Sequence, residues 1–391
     1  MLGWFLAAAA VAGAARATAP RAQSQAIDPG ALDRAFDALY NLDLEIAEAG
    51  LREMTVRYPE NPRSWNLLAG AVMLEALFRQ QKLSLDSFSG DRIGTDDSSD
   101  AIDREREAFF RETIDRAVAA AQAILERQPD DIEARYHLGA SWAILAAFEA
   151  TIRKSVTGAA GPAKKAHDLH MEVLRRDPSF NDARLAVGTY EYAAGVLPWV
   201  VRQVVKVFGI RGDKNVGIQQ LRYAADLGRW VSTDAKMVLI VVYNREKWYE
   251  DALAILRDVH ATYPRNYLLE IEIASVYERM RMWPAAIGVY RSVLAKIETG
   301  EDGYDRFEPE PVLFRLAEAH VHGERYMESI PLFEQVIADA DSSDGLKCRS
   351  HMWAGRILRD RDRKSEAAGH FQAIERLDCS NTQKREARRY L

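Results

Sequence analysis

Cysteine, glycine and proline are all sparse in this sequence. Two cysteines among 391 residues exclude a disulfide-dense scaffold and any four-cysteine zinc or iron–sulfur site. Glycine and proline number 23 and 13, which is about 9% of the chain against roughly 12% in average proteins. Because all-β proteins need many turns, this shortage disfavours an all-β fold.

The sequence also has no excess of basic residues. Lysine and arginine number 52 and aspartate and glutamate 58, for a formal net charge of −6. Nucleic acid is therefore not expected as a partner, since binding to phosphates needs clustered cations. Hydrophobic residues at 48% and charged residues at 28% are typical of a folded, soluble chain. This apolar content also disfavours bulk disorder.

Long apolar runs are missing after the first 19 residues. Residues 1–19 carry an apolar core and end in Ala17-Thr18-Ala19, an A-x-A pattern that predicts a secretory signal peptide, although the usual basic start is missing. No cysteine follows the run, so a lipid anchor on a lipobox cysteine is not expected. Residues 20–30 read as a polar leader. We expect export to the periplasm or cell envelope, with a cytoplasmic location as the alternative.

An internal repeat is the strongest signal in the chain. A segment with apolar residues three or four apart precedes each of four prolines, and a second such segment follows. The prolines are Pro59, Pro129, Pro178 and Pro264, with an alanine twelve residues before each at Ala47, Ala117, Ala166 and Ala252. Small residues recur in the segments that follow, at Ala69, Gly139, Gly188 and Ala274. Because proline ends a helix, the pattern predicts consecutive helical hairpins.

This pattern resembles the tetratricopeptide repeat, a helix–turn–helix unit of 34 residues. The best match is the segment 283–290, where Ala252 and Ala286 are separated by that period. The resemblance implies an all-α fold, an α–α superhelix of about seven hairpins over residues 31–378, followed by a C-terminal tail at 379–391. Other spacings exceed the period and indicate inserted loops or lengthened helices.

Two insertions interrupt the repeats. Residues 82–104 are polar, acidic and rich in glycine and serine, which predicts a solvated loop, with a lid or binding loop as the alternative. Residues 193–213 contain Pro198, which suits the first turn of a helix, and Gly209, which suits its end. They predict an amphipathic helix near 198–209, followed by a Gly212-Asp213 turn that caps the next helix.

The amphipathic helix has two interpretations. Its apolar side includes Val201, Val205 and Phe208, and Trp199 lies at its start. Contact with a membrane surface is one interpretation. Packing inside a widened superhelix is the other, and the few cations of the segment favour it.

The second insertion is also similar to a subgroup of repeat proteins, the tetratricopeptide repeat protein 39 family, which includes a yeast mitochondrial-outer-membrane and inclusion-body-clearance protein. The matching residues are Leu197-Pro198, Phe208-Gly209, Gly212-Asp213, Gly217 and Leu221. The resemblance covers about residues 130–295 and implies an adaptor rather than an enzyme. Those relatives are intracellular, so the predicted signal peptide departs from the family.

No catalytic or metal-binding motif was found. The sequence has no glycine-rich phosphate loop after a strand and no G-x-S-x-G elbow. The pairs His167/His170 and His320/His322 lack the i, i+4 spacing with glutamate that marks a metalloprotease helix. We therefore expect no enzyme activity, no cofactor and no metal.

The first helix of each hairpin usually lines the concave face of such a superhelix. The candidate partner-binding residues are Asn66, Tyr136, Tyr192, Asn244 and Glu278. Their side chains suit an extended peptide, although they could instead bridge neighbouring helices. The predicted function is a non-catalytic scaffold that binds a protein or peptide. The alternative is a ligand-holding component of an envelope transport system, with an apolar pocket near Trp199 and Phe208; the oligomeric state is left open.

The two cysteines lie at the ends of the last predicted hairpin. Cys348 is near the start of its first helix, and Cys379 follows the end of its second. Antiparallel helices bring these positions to the same end. In an exported protein the sequence therefore predicts a disulfide that clamps the terminal repeat.

Overall fold

In the computed structural model, residues 27–79, 102–199, 209 and 211–391 are described, and they form 17 α-helices and no strand. In chain order the helices are α1 Pro29–Tyr40, α2 Leu44–Arg57, α3 Pro62–Arg79, α4 Arg104–Arg127, α5 Ile132–Thr151, α6 Val156–Arg176, α7 Ala183–Gly195, α8 Lys214–Leu227, α9 Ser232–Glu246, α10 Tyr249–Thr262, α11 Tyr267–Arg279, α12 Trp283–Glu298, α13 Glu310–His322, α14 Tyr326–Ala338, α15 Asp344–Asp360, α16 Lys364–Arg376 and α17 Asn381–Arg388.

Consecutive helices pair as hairpins. Each odd-numbered helix from α1 to α15 packs against the helix that follows it, and where the link is a short turn the two helices must run antiparallel. This gives eight pairs in the described part of the chain, against about seven predicted. The all-α hairpin fold predicted from the repeat is confirmed. Residues 379–391, expected as a tail, contain α17, which packs on α15 and α16.

The four prolines of the repeat lie just after helix ends, as the pattern predicts. The helices before them end two residues earlier, at Arg57, Arg127, Arg176 and Thr262. Each proline therefore begins a short turn, because it has no N–H with which to continue the helical ladder. The next helix starts three to five residues later. Of the small residues in the pattern, Gly139 lies against the ring of His170 and Gly188 against the backbone of Gly217.

The turn predicted before α8 is confirmed. The carboxylate of Asp213 accepts hydrogen bonds from the backbone nitrogens of Asn215 at 2.7 Å and Val216 at 3.2 Å. This N-cap satisfies two of the donors that a helix start leaves unpaired. As a result, α8 begins at Lys214.

Helices α7 and α8 cross at backbone contact. A Cβ atom built on Gly188 would lie 2.8 Å from the carbonyl oxygen of Gly217. A Cβ on Gly217 would lie 2.7 Å from Cβ of Tyr192, and one on Gly212 would lie 2.5 Å from the carbonyl oxygen of Glu191. Distances this short leave no room for a side chain. The glycines of the second insertion therefore allow these two helices to touch.

The chain divides into two compact units, one ending at Pro264 and the other beginning at Arg265. The first contains α1 to α10 and the second α11 to α17. In the second unit, the rings of Phe314, Phe333 and Phe371 are buried in one apolar cluster. The predicted repeat positions around Ala317 and Ala354 belong to the same cluster.

The two cysteines are joined at one end of the last hairpin. Cys348 is in α15 and Cys379 follows α16, with 5.8 Å between their Cα atoms. Both side chains belong to the apolar cluster of the second unit. The antiparallel geometry predicted for this hairpin thus places the disulfide between them.

Several sequence predictions lie wholly or mostly outside the described residues. They are the signal peptide at 1–19, residues 20–26 of the polar leader at 20–30, most of the loop at 82–104, and most of the amphipathic helix near 198–209, with Val201, Val205 and Phe208. The end of the predicted leader is instead helical, because α1 begins at Pro29. Within the described ranges, none of the helices combines the length and apolar character needed to span a bilayer.

Candidate binding cavity

Helix α1, the first in the described part of the chain, reaches the fifth hairpin of the first unit. The hydroxyl of Tyr40, at the end of α1, donates a 2.7 Å hydrogen bond to Oδ1 of Asp234 in α9, across 194 residues of sequence. The ring of Tyr40 also packs on that of Tyr263, with 4.8 Å between centroids. These two contacts join the first hairpin of the unit to the fifth, and we call them the closure of the first unit.

A cavity of about 260 Å³ lies at this closure. Its walls come from α1, from the turn between α8 and α9, from the start of α9 and from the residue after α10. The lining residues are Asp33, Phe36, Asp37, Tyr40, Arg229, Trp230, Ser232, Thr233 and Tyr263. Every one of them belongs to the first unit.

One flank of α1 forms the first wall of the cavity. Its members recur at helical spacing, as Asp33, Phe36, Asp37 and Tyr40. Spacings of three and four residues place them on one side of the helix. Leu32 and Leu39 lie on another side and are buried. This flank of α1 therefore faces the cavity, and the apolar side of α1 packs in the core.

Trp230 forms the back wall and is only 8% exposed. Its ring packs against those of Tyr136 and Phe180, with centroids 5.6 and 5.7 Å away. The guanidinium of Arg63 lies 5.0 Å from the ring and that of Arg229 lies 5.4 Å from it. These contacts fix the position of the indole against side chains of α3, α5 and the turn before α7.

A buried carboxylate fixes the turn that carries this wall. Oδ1 of Asp182 accepts hydrogen bonds from the backbone nitrogens of Trp230 at 2.6 Å and Val231 at 3.1 Å. Burial raises the pKa of Asp182, although these backbone donors oppose the shift. The turn between α8 and α9 is thus tied to the start of α7.

Behind Trp230 lies a second layer of buried polar groups. Nδ2 of Asn66 donates to the carbonyl oxygen of His137 at 2.9 Å, and the hydroxyl of Ser141 donates to Oδ1 of Asn66 at 2.8 Å. The His137 ring stacks on Trp230 at 5.8 Å. Burial lowers the pKa of His137. The imidazole is therefore neutral at pH 7 and adds no charge to the wall.

The cavity is lined mainly by acid and aromatic groups. Among the described lining residues, Asp33 and Asp37 carry carboxylates and Arg229 carries the guanidinium. The carboxylate of Asp234 lies just behind Tyr40. Ser232 donates its hydroxyl to the carbonyl oxygen of Ala225 at 2.6 Å, so this hydroxyl secures the end of α8.

Four of the five predicted partner-binding residues are buried in helix packing. Asn66 and Tyr136 belong to the wall behind the cavity, as described above. Asn244 donates to the carbonyl oxygen of Ile240 in its own helix at 2.9 Å. The predicted binding role of these residues is not tested, and their contacts match the alternative, that they bridge or brace helices.

Tyr192, the fourth buried residue, and Glu278 take part in similar bridges. The hydroxyl of Tyr192 in α7 donates to Glu246 in α9 at 2.9 Å. In the second unit, Glu278 accepts hydrogen bonds from the Tyr290 hydroxyl at 3.1 Å and from Arg315 at 2.6 Å. Glu246 thus joins α9 to α7, and Glu278 joins α11 to α12 and α13. The structure does not bring Tyr192, Asn244 or Glu278 to the cavity lining.

Trp199, predicted for a membrane or an apolar pocket, is 71% exposed. Phe208, expected beside it, lies outside the described residues. The histidine pairs are also engaged elsewhere: Nδ1 of His170 is 2.7 Å from the carbonyl oxygen of Ala166, and Nδ1 of His320 is 3.3 Å from Glu328. No three histidine, cysteine or carboxylate side chains are grouped for a metal in the described ranges.

Comparison with known proteins finds no matching protein-family model and no matching curated protein. Among solved structures, the human IFIT1 dimer with m7Gppp-AAAA is 14% identical, covers 91% of this chain and 79% of its own, and has a TM-score of 0.39. A tetratricopeptide repeat protein from Parabacteroides merdae is 13% identical, with coverages of 92% and 97% and a TM-score of 0.27. Yeast Tom70 is 12% identical, with coverages of 92% and 87% and a TM-score of 0.34.

Proposed function

We propose that this chain is a non-catalytic interaction scaffold of the tetratricopeptide type, and that its first unit binds an extended segment of a partner protein in the cavity. The observation that carries the proposal is the flank of α1, whose aromatic and acidic side chains line the cavity. Polar and aromatic groups that line a recess are typical of a recognition site.

The size of the cavity supports a side chain as its occupant. Pockets that hold whole small molecules measure roughly 300–1,000 Å³, whereas this one measures about 260 Å³. One or two side chains of a larger partner fit such a volume. The rest of the partner segment would then lie along the exposed parts of α1.

Export is part of the proposal. The apolar start of the sequence supports it, and so does the pairing of Cys348 with Cys379, because disulfides persist in oxidising compartments. The similarity to the tetratricopeptide repeat protein 39 family stays part of the proposal as well. It is supported by Gly212 and Gly217, which lie where α7 and α8 touch, and by Asp213, which caps the start of α8.

Affinity capture with a blocked cavity tests the proposed function. Thr233→Trp places a large ring in the cavity, and Thr299→Trp adds the same ring at an exposed position of the second unit. We expect the wild type and Thr299→Trp to capture the same partner from an envelope fraction, and Thr233→Trp to lose it. Equal capture by all three proteins, each shown to be folded by circular dichroism, would overturn the proposal.

A further inference from the structure

We infer that the cavity of the first unit takes a lysine or arginine side chain from an extended partner segment. This inference rests on the proposed function and names the chemistry of the side chain that enters. The observations behind it are the charge of the lining and the aromatic rings beside it.

Carboxylates dominate the charge around the cavity. Asp33 and Asp37 lie one helical turn apart on the cavity flank of α1, and both are exposed to water. The carboxylate of Asp234 lies behind them, held by the Tyr40 hydroxyl. Burial raises the pKa of Tyr40 well above its usual value, so this phenol remains a neutral donor. A cation entering the cavity meets the two carboxylates of the α1 wall, and the buried carboxylate of Asp234 lies behind Tyr40.

The aromatic rings add a second attraction for a cation. Phe36 and Tyr40 are stacked with centroids 6.2 Å apart, and Tyr40 packs on Tyr263 at 4.8 Å. The face of an aromatic ring carries partial negative charge and attracts ammonium and guanidinium groups. The unit already uses this chemistry, because Arg63 and Arg229 both lie over the ring of Trp230.

Other occupants fit less well. An acidic side chain would face Asp33 and Asp37, and like charges at short range repel. An apolar side chain would remove water from the same carboxylates without replacing its hydrogen bonds. A lysine or arginine can lay its aliphatic stem along the rings and place its charged head near the carboxylates. Arg229 carries one positive charge in the described lining, against the two negative charges of Asp33 and Asp37, and its guanidinium lies over the ring of Trp230.

The test uses fluorescein-labelled nonapeptide mixtures with a fixed central residue and random uncharged residues elsewhere. The centre is lysine, arginine, norleucine or glutamate, and binding to the full chain is followed by fluorescence anisotropy. We expect the lysine and arginine mixtures to bind about tenfold more tightly than the norleucine mixture, and the glutamate mixture to bind most weakly. Raising the salt concentration should weaken binding of the two cationic mixtures.

Matched variants test whether the lysine mixture binds in the cavity. Asp33→Asn should weaken lysine binding at least threefold, whereas Asp226→Asn, an exposed aspartate of α8 outside the lining, should leave it unchanged. Norleucine binding as tightly as lysine, and blocked by Thr233→Trp, would overturn the inference while the proposed function stands. No binding by any mixture would overturn both.

Discussion

Gly217 and Tyr192 approach so closely that no side chain fits between α7 and α8. A Cβ on Gly217 would lie 2.7 Å from Cβ of Tyr192 and also too close to the Tyr192 backbone nitrogen. Because backbone atoms cannot move aside cheaply, we expect Gly217→Ala to lower the free energy of unfolding by about 2–3 kcal/mol. Urea unfolding followed by circular dichroism measures the change.

Gly50 provides the control for that prediction. It lies inside α2, is exposed, and a Cβ built on it has no neighbour within 4 Å. Gly50→Ala should therefore stabilise the first unit by about 0.5–1 kcal/mol, since alanine favours the helix. If the two alanine variants change stability equally, the close approach of α7 and α8 is not the cause.

Removal of the disulfide should weaken the terminal hairpin. Cys348 and Cys379 close a loop with a sequence separation of 31, for which chain entropy predicts a stabilisation of about 3–4 kcal/mol. The double variant Cys348→Ser/Cys379→Ser should thus unfold at lower urea, and reductant should shift only the wild type. Two free thiols in the denatured, unreduced wild type would contradict the prediction.

The closure of the first unit should depend on Tyr40. Tyr40→Phe removes the hydroxyl that donates to Asp234, whose carboxylate is buried. Loss of a hydrogen bond to a buried charged group costs about 1–3 kcal/mol. We expect faster hydrogen exchange in α1 and little change in α5. Tyr223→Phe, at an exposed tyrosine of α8, should leave exchange in α1 as it is in the wild type.

Acid should destabilise the second unit through a histidine pair. Nδ1 of His351 in α15 lies 2.9 Å from Nδ1 of His370 in α16. Burial, followed by the charge of its neighbour, lowers the pKa of His351 to about 4. The pKa of His370 is lowered mainly by burial, which Glu334 and Glu366 partly oppose.

The direction of this change in stability with pH follows from proton uptake. Between pH 6.5 and 4 an unfolded histidine binds a proton that folded His351 does not, so stability is full above pH 6.5 and falls as the pH drops. At pH 4.5 we expect a loss of about 2 kcal/mol. His351→Asn, which retains a donor near Nδ1, should lose less between pH 7 and 4.5 in urea unfolding. An equal loss of stability in both proteins would show that the histidine pair is not the cause.

The hairpins and their caps could be predicted because they depend on residues close in sequence. Proline at a helix end, alanine at a crossing and Asp213 at a helix start each act within a few residues. The approach of Cys348 and Cys379 followed from the antiparallel rule for the last hairpin alone. Periodicity is sufficient for such features.

The cavity could not be predicted in this way. It depends on contacts such as Tyr40 with Asp234, which join the first hairpin to the fifth, and a repeat pattern encodes only neighbours. The spacing of Asp33, Phe36, Asp37 and Tyr40 was visible, but nothing local shows what that flank faces. The general rule for groove residues predicts Tyr136 and Tyr192 on a concave face; in the structure both side chains are buried, and their binding role stays a prediction.

The link between Tyr40 and Asp234 has a consequence for synthesis. At 5–20 residues per second, the 194 residues between them take roughly 10–40 s to translate. During that time α1 has only its own hairpin and the following helices to pack on. Chains released before residue 232 should therefore leave α1 open to protease, while full-length chains protect it. Tyr263 also lines the cavity and follows α10, so the lining is complete only after all five hairpins of the first unit have been translated.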